Sequence, residues 1–212
     1  DTKYPSVKSV KTYVDNATTG IVGVSSVTEG GNTGVRLTTS SADNHGDIGF
    51  TAVDFSTSNN ASIINGATGK LSFAIGEETQ ASGSLSFASG FSTKAQGANA
   101  TASGANTKAS GNNATAMGVN TSASDYASVA IGRYNSSLSS VTTAGSATLY
   151  SSYNTAFVIG NGIGPANTSD AFKVKFNGDV TASGTITAGT VTYPKTHNST
   201  AGQVLITNAS GV

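Results

Sequence analysis

Glycine occupies positions 69, 76, 83, 90, 97, 104, 111, 118 and 132, all on one seven-residue grid. Alanine stands two residues earlier every time, from Ala67 through Ala74 and onward to Ala130. The single gap in the glycine column, at 125, holds aspartate, which tolerates left-handed backbone better than most residues. A seven-residue period fits a strand of four or five residues and a turn of two or three. Glycine is then expected to close each turn, since it takes positive φ without steric cost. Two residues before the alanines lie Ser72, Thr79, Ser86, Thr93, Ala100, Thr107, Ala114, Thr121 and Ser128. Strand period is two, so both columns share one face. A face of Ala, Ser and Thr alone suits a very narrow core.

The opposite face doubles the period. Alternate strands present Phe73 and Ile75, Phe87 and Ser89, Thr101 and Ser103, Thr115 and Met117, Val129 and Ile131. The strands between them present Gln80 and Ser82, Lys94 and Gln96, Lys108 and Ser110, Ser122 and Ser124. The true unit is therefore a fourteen-residue coil of two strands, in a parallel β-roll. Five such coils rise about 24 Å. One outer side is partly apolar, and an exposed apolar stripe on a monomer is a liability. Burial between copies of the chain resolves it, with Phe73, Ile75, Phe87, Met117, Val129 and Ile131 as the expected interface. Closed rings are the usual solution, but spacing does not set their order.

Composition supports a wound repeat. Of 212 residues 36% are apolar and only 10% charged, against a usual charged fraction of about 25%. The formal net charge is zero, which argues against a general binder of nucleic acid or anionic membranes. With no cysteine there is neither a disulfide framework nor a thiolate metal site. No apolar run approaches the roughly 20 residues of a membrane span. The chain opens at Asp1-Thr2-Lys3 without a signal peptide and closes in mid-pattern at Ser210-Gly211-Val212, so a piece of a longer protein is expected.

The flanks divide the chain further. Over residues 1–19, Val7, Val10 and Val14 predict a short helix starting near Pro5, packed on its own domain or forming a helical collar. Residues 20–65 form a small β-rich lead-in, with strands at Ile21–Val27 and Gly34–Thr39 around a turn at Glu29–Asn32, and a third over Asp47–Phe55. The roll spans 66–140. Residues 141–168 hold an irregular insertion and the last coil, in which Asn154–Gly160 resumes the strand. Residues 169–212 are a β-rich connector with an Asn177-Gly178 hairpin signal.

LSFAIG at 71–76, ATAMG at 114–118 and SVAIG at 128–132 resemble the head repeats of trimeric autotransporter adhesins of the Yersinia adhesin type. That resemblance implies a left-handed roll, three chains about one axis and an adhesive role at a cell or virus surface. The neck motif that follows such heads is missing. NTAFVIGNG at 154–162 and SDAFKVKFNGDVTASG at 169–184 resemble segments of phage tail fibres and bacterial surface fibres, often found ahead of an endosialidase-type chaperone. YPSVKSVKTYVDNA at 4–17 and GDIGFTAVDFS at 46–56 look like parts of Bacteroidetes-type fibre proteins.

Residues that could carry chemistry are few. His45 lies between Asp43 and Asp47, and a solvated loop is expected there rather than a metal site; His197 stands alone. The glycines lack the strand–loop–helix setting of a phosphate loop. The acids are scattered, Glu77-Glu78 falls in an exposed turn, and a fourteen-residue coil leaves no cleft. Asn-x-Ser/Thr matches such as Asn60, Asn99, Asn113 and Asn167 follow from composition. Tyr126, Arg133, Tyr134, Tyr150 and Tyr153 are expected to gather where the roll ends, either facing a receptor or capping the stack.

These features predict an all-β homotrimeric fibre segment that is not an enzyme and uses no cofactor or metal. Its expected partners are copies of itself and a host-surface glycan or protein receptor, with neither nucleic acid nor membrane insertion. A phage-type tail fibre is the first expectation, and the head of a bacterial trimeric adhesin is the alternative. An ice-binding repeat would need a flat outer threonine array, whereas the outer columns mix Lys, Gln, Ser and Phe. The expected location is extracellular, on a virion tail or a bacterial surface.

Overall fold

Each period of seven folds as half a coil. The computed structural model describes residues 23–136, 146–188 and 191–193. The helix expected near Pro5, His197 and the polar tail from residue 194 lie outside them. Described strands are β1 (Val24–Glu29), β2 (Asn32–Leu37), β3 (Val53–Thr57), β4 (Phe73–Glu77), β5 (Gln80–Ala81), β6 (Phe87–Phe91), β7 (Lys94–Ala95), β8 (Thr101–Ala105) and β9 (Lys108–Ala109). They continue as β10 (Thr115–Val119), β11 (Ser122–Ala123), β12 (Val129–Arg133), β13 (Thr155–Asn161), β14 (Asp170–Lys175), β15 (Val180–Ala182), β16 (Ile186–Ala188) and β17 (Val191–Tyr193). A 3-10 turn at Ala42–Asn44 is the one helical element among the described residues.

The two halves of a coil differ in length. Five-residue strands build an 11-stranded sheet ordered β1-β2-β3-β4-β6-β8-β10-β12-β13-β14-β15, and two-residue strands build a 4-stranded sheet ordered β11-β9-β7-β5. From β2 to β13 every pairing in the larger sheet is parallel. Eight parallel strands rise about 34 Å, so the β-solenoid extends past the strict repeat at both ends. Antiparallel strands close the sheet: β1 on β2 through Gly30-Gly31, at φ 54° and 81°, and β14 and β15 through the Asn177-Gly178 turn. In that turn the Asn177 amide donates to Asp179 at 2.9 Å and, with Lys175 nearby, holds the Asp179 carboxyl below its ordinary value. The strand expected over Asp47–Phe55 starts only at Val53, because a turn closed by Ala52 N–H on the Gly49 carbonyl, with Thr51 at φ 50°, precedes it.

The core is as narrow as its side chains. Ala74, Ala88, Ala102, Ala116 and Ala130 stack in register along the larger sheet, and all are fully buried. Ala81, Ala95, Ala109 and Ala123 face them from the smaller sheet. The Ser/Thr column is buried beside them. Larger apolar residues, Ile48 and Val158, are fully buried only toward the two ends.

The glycines do not supply the left-handed turn residue. That residue comes two positions later: Leu71, Glu78, Leu85, Ser92, Asn99, Asn106, Asn113, Asn120, Ala127 and Tyr134, with φ between 43° and 59°. Asparagine adopts this conformation more readily than most residues. Glycine is required by close approach of successive coils. A Cβ on Gly104 would overlap the carbonyl of Gly118, and one on Gly97 the carbonyl of Gly111. Gly104 also sits at φ 120°, inside its strand, whereas Gly97 has no positive φ. Asp125 likewise has no positive φ, which corrects the expected reason for its tolerance. It lies on the last rung of the smaller sheet, so no further glycine rung stacks on its Cβ.

Both ends are closed by polar groups. Toward the N-terminal end, Arg36 and Asp54 take the places that alanines hold in later coils. Arg36 is 2% exposed, pairs with Glu29 at 2.7 Å and Asp54 at 3.3 Å, and donates to the Gly46 carbonyl. At the other end, Asp125 accepts the Thr155 N–H at 2.7 Å. The Asn135 amide bonds both the N–H and the carbonyl of Ser122, imitating a further strand on the smaller sheet.

Candidate functional site

The site candidates follow from which way each column points. Inner positions are filled, so any recognition falls to the outer columns and to the turns. On the larger sheet, Phe73, Phe87, Thr101, Thr115 and Val129 form one outer column in register, and Ile75, Ser89, Ser103, Met117 and Ile131 form the next. All six expected interface residues thus lie on one face. Ile75, Phe87 and Met117 are exposed, while Phe73, Val129 and Ile131 are partly covered by their neighbours. Phe73 stacks on Phe87, with ring centres 5.5 Å apart and an angle of 12°, and meets Phe55 edge-on at 5.7 Å. Such pairing orders the rings before any partner arrives.

A third outer column was not anticipated. A five-residue strand presents its first, third and fifth residues outward, so Glu77, Phe91, Ala105, Val119 and Arg133 also align. Phe91 is 47% exposed and Val119 43%. Strand length was the missing signal. Thr101, Ser103 and Ala105 interrupt the apolar face midway, so it is two apolar blocks separated by a layer of small residues.

The five residues expected at the roll's end fall at two edges. Arg133 and Tyr134 close and follow β12, with the guanidinium 5.6 Å from the Tyr134 ring and one N–H on the Ile163 carbonyl. Tyr126 precedes β12 and donates its backbone N–H to the Ser146 carbonyl. Tyr150 packs edge-on against Phe176 at 5.5 Å, and Tyr153 is 55% exposed.

His45 is buried, contrary to the expected solvated loop. Arg36 draws Gly46 against the end of the roll, and the His45 Nδ1 lies 2.8 Å from the Ser41 carbonyl. Asp43 and Asp47 stay exposed. A shallow depression of about 410 Å³, lined by His45, Gly46, Asp47, Ile63 and Thr68, opens there. Among the described residues no three His, Cys, Asp or Glu side chains gather as a metal-binding group. Glu77 is exposed as expected, whereas Glu78 is half-buried; they accept bonds from Asn59 and Asn60.

Known proteins meet this geometry at the coils themselves. The family model described as YadA head domain repeat (2 copies) matches residues 67–93, 81–107 and 109–135, about a third of the chain. Over those residues the chain is similar to YadA head domain repeats, and the same residues wind as a β-solenoid. No curated protein and no solved structure matches the chain. No helix among the described residues is long and apolar enough to cross a membrane, which leaves β-barrels unaddressed.

Proposed function

We propose that this chain is the head segment of a homotrimeric bacterial surface adhesin, binding a glycan or protein on a host cell without turning anything over. The carrying observation is that the matched head repeats are the same coils whose larger sheet leaves Ile75, Phe87, Phe91, Met117 and Val119 uncovered. Three copies packed by that face would bury the two apolar blocks and leave the turns and the smaller sheet toward solvent. Tyr134 and the exposed Tyr150 and Tyr153 are then the receptor-facing candidates, while Arg133 continues the Phe91–Val119 column at the edge of the packed face. The location that follows is extracellular.

The phage-type tail fibre, first expected from the flanks, rests on the likeness of 154–162 and 169–184 to fibre segments. Those residues lie outside the matched repeats. The domain that accompanies these residues in the whole protein separates the two settings: a membrane-anchoring β-barrel would mark the adhesin, a chaperone domain the tail fibre. Function is tested by displaying the chain on a non-adherent cell. Attachment to host cells is expected, with loss when Phe73→Asp and Ile131→Asp are combined. Equal attachment by the double variant, at equal surface level, would contradict the proposal.

A further inference from the structure

Resting on the adhesin reading, a ligand class follows from the smaller sheet. Lys94 opens β7 and Lys108 opens β9, and the two pair directly in a parallel ladder. Adjacent rungs lie about 4.8 Å apart, and like charges directly opposite each other oppose the pairing. Both side chains are exposed, and neither has an ion-pair partner among the described residues. The rungs on either side are Gln80 and Ser122, so no carboxylate shares the column. Charges are scarce in this chain, and several of its acids are engaged elsewhere: Glu29 and Asp54 on Arg36, Glu77 and Glu78 on asparagines, Asp125 on Thr155. Two aligned ammonium groups are left for something outside the chain.

We propose that this face binds an acidic polysaccharide lying along the roll axis, with carboxylates or sulfates on Lys94 and Lys108. Buried Ala95 and Ala109 fix the backbone beneath, so the two charges are set one rung apart. A polyanion with an acidic group on each sugar presents charges in a comparable regular row. Exposed Gln96, beside the lysines, suits a sugar hydroxyl, while Gln80 is only 6% exposed and helps hold the Gln96 amide in place. Gln96 donates to the Gln80 side-chain carbonyl at 3.4 Å, and Gln80 donates to the Ser82 hydroxyl at 3.3 Å. Each exposed lysine contact is weak, so binding depends on several ladders acting together, as three copies of the chain provide.

Retention on immobilised alginate tests this, with neutral dextran as control and the mass in solution measured on the same samples. The wild-type chain is expected to be held at low salt and released as salt rises, because exposed charges are screened within about 10 Å at 0.1 M. Lys94→Gln combined with Lys108→Gln should weaken retention by about tenfold or more, with an unchanged circular dichroism spectrum. Lys70→Gln, whose ammonium lies 5.8 Å from the Phe50 ring, should change little. No retention of a trimeric wild type, or equal retention of the double variant, overturns the lysine ladder and leaves the trimer standing. Retention of a monomeric wild type that the double variant loses keeps the ladder and removes the trimer.

Discussion

The two sheets of the roll share one interior and differ outside. Within, both are lined by alanine backed by serine or threonine, because the coil has room for nothing larger. Outside, five-residue strands carry Phe73, Ile75, Phe87, Met117 and Ile131, while two-residue strands carry Lys94 and Lys108, with Gln96 just after the first of them. Winding therefore constrains the inner columns and leaves the outer ones free. What varies there speaks for assembly on one side and for ligands on the other.

The sharpest way to break this contrast is to compare an inner and an outer substitution on one strand. Gly104→Ala places a Cβ against the Gly118 carbonyl at φ 120°. It should cost on the order of 3 kcal/mol or more, or prevent folding. Thr101→Ala, outward on the same strand, should stay within about 0.5 kcal/mol. Chemical denaturation reads both, and a mild Gly104→Ala would mean that the coils can separate more easily than their stacking implies.

The neighbouring inner column, that of the alanines, sharpens the comparison at its end. Arg36→Met leaves Asp54 buried without its partner, with an expected loss of about 3–5 kcal/mol. Restoring packing with Asp54→Ala in the same chain, to match the alanines above it, should recover much of that loss in thermal melts.

The smallest effect has the opposite sign. The hydroxyls of Thr79, Thr93, Thr107 and Thr121 are buried without a hydrogen-bond partner. Thr107→Val keeps the shape and removes the orphaned hydroxyl, so it should raise stability by about 1 kcal/mol. A loss measured in the same assay would mean that those hydroxyls make bonds in solution.

Much of this was legible before the structure. The alanine column, the Ser/Thr column beside it and the alternation of outer faces follow from a period of two inside a period of seven. Gly30-Gly31 and Asn177-Gly178 marked their turns. The role of glycine was not legible, because a glycine needed for backbone approach and one needed for a turn have the same spacing. The left-handed residues two positions later are marked only in mid-roll, by Asn99, Asn106, Asn113 and Asn120; Leu71, Glu78 and Leu85 share only their place. The Arg36–Asp54 pair was hidden for another reason: its partners are eighteen residues apart, outside the strict repeat, and meet only once β2 and β3 are in register. His45 is buried next to Gly46, whose carbonyl accepts from the same Arg36.

The account turns on whether the apolar outer face is covered by further copies of the chain. Sedimentation equilibrium of the unmodified protein measures this directly. A single species of three times the 20.9 kDa chain mass is expected, holding together on dilution. A stable, soluble species at 20.9 kDa, with Ile75, Phe87 and Met117 still in water, would contradict it.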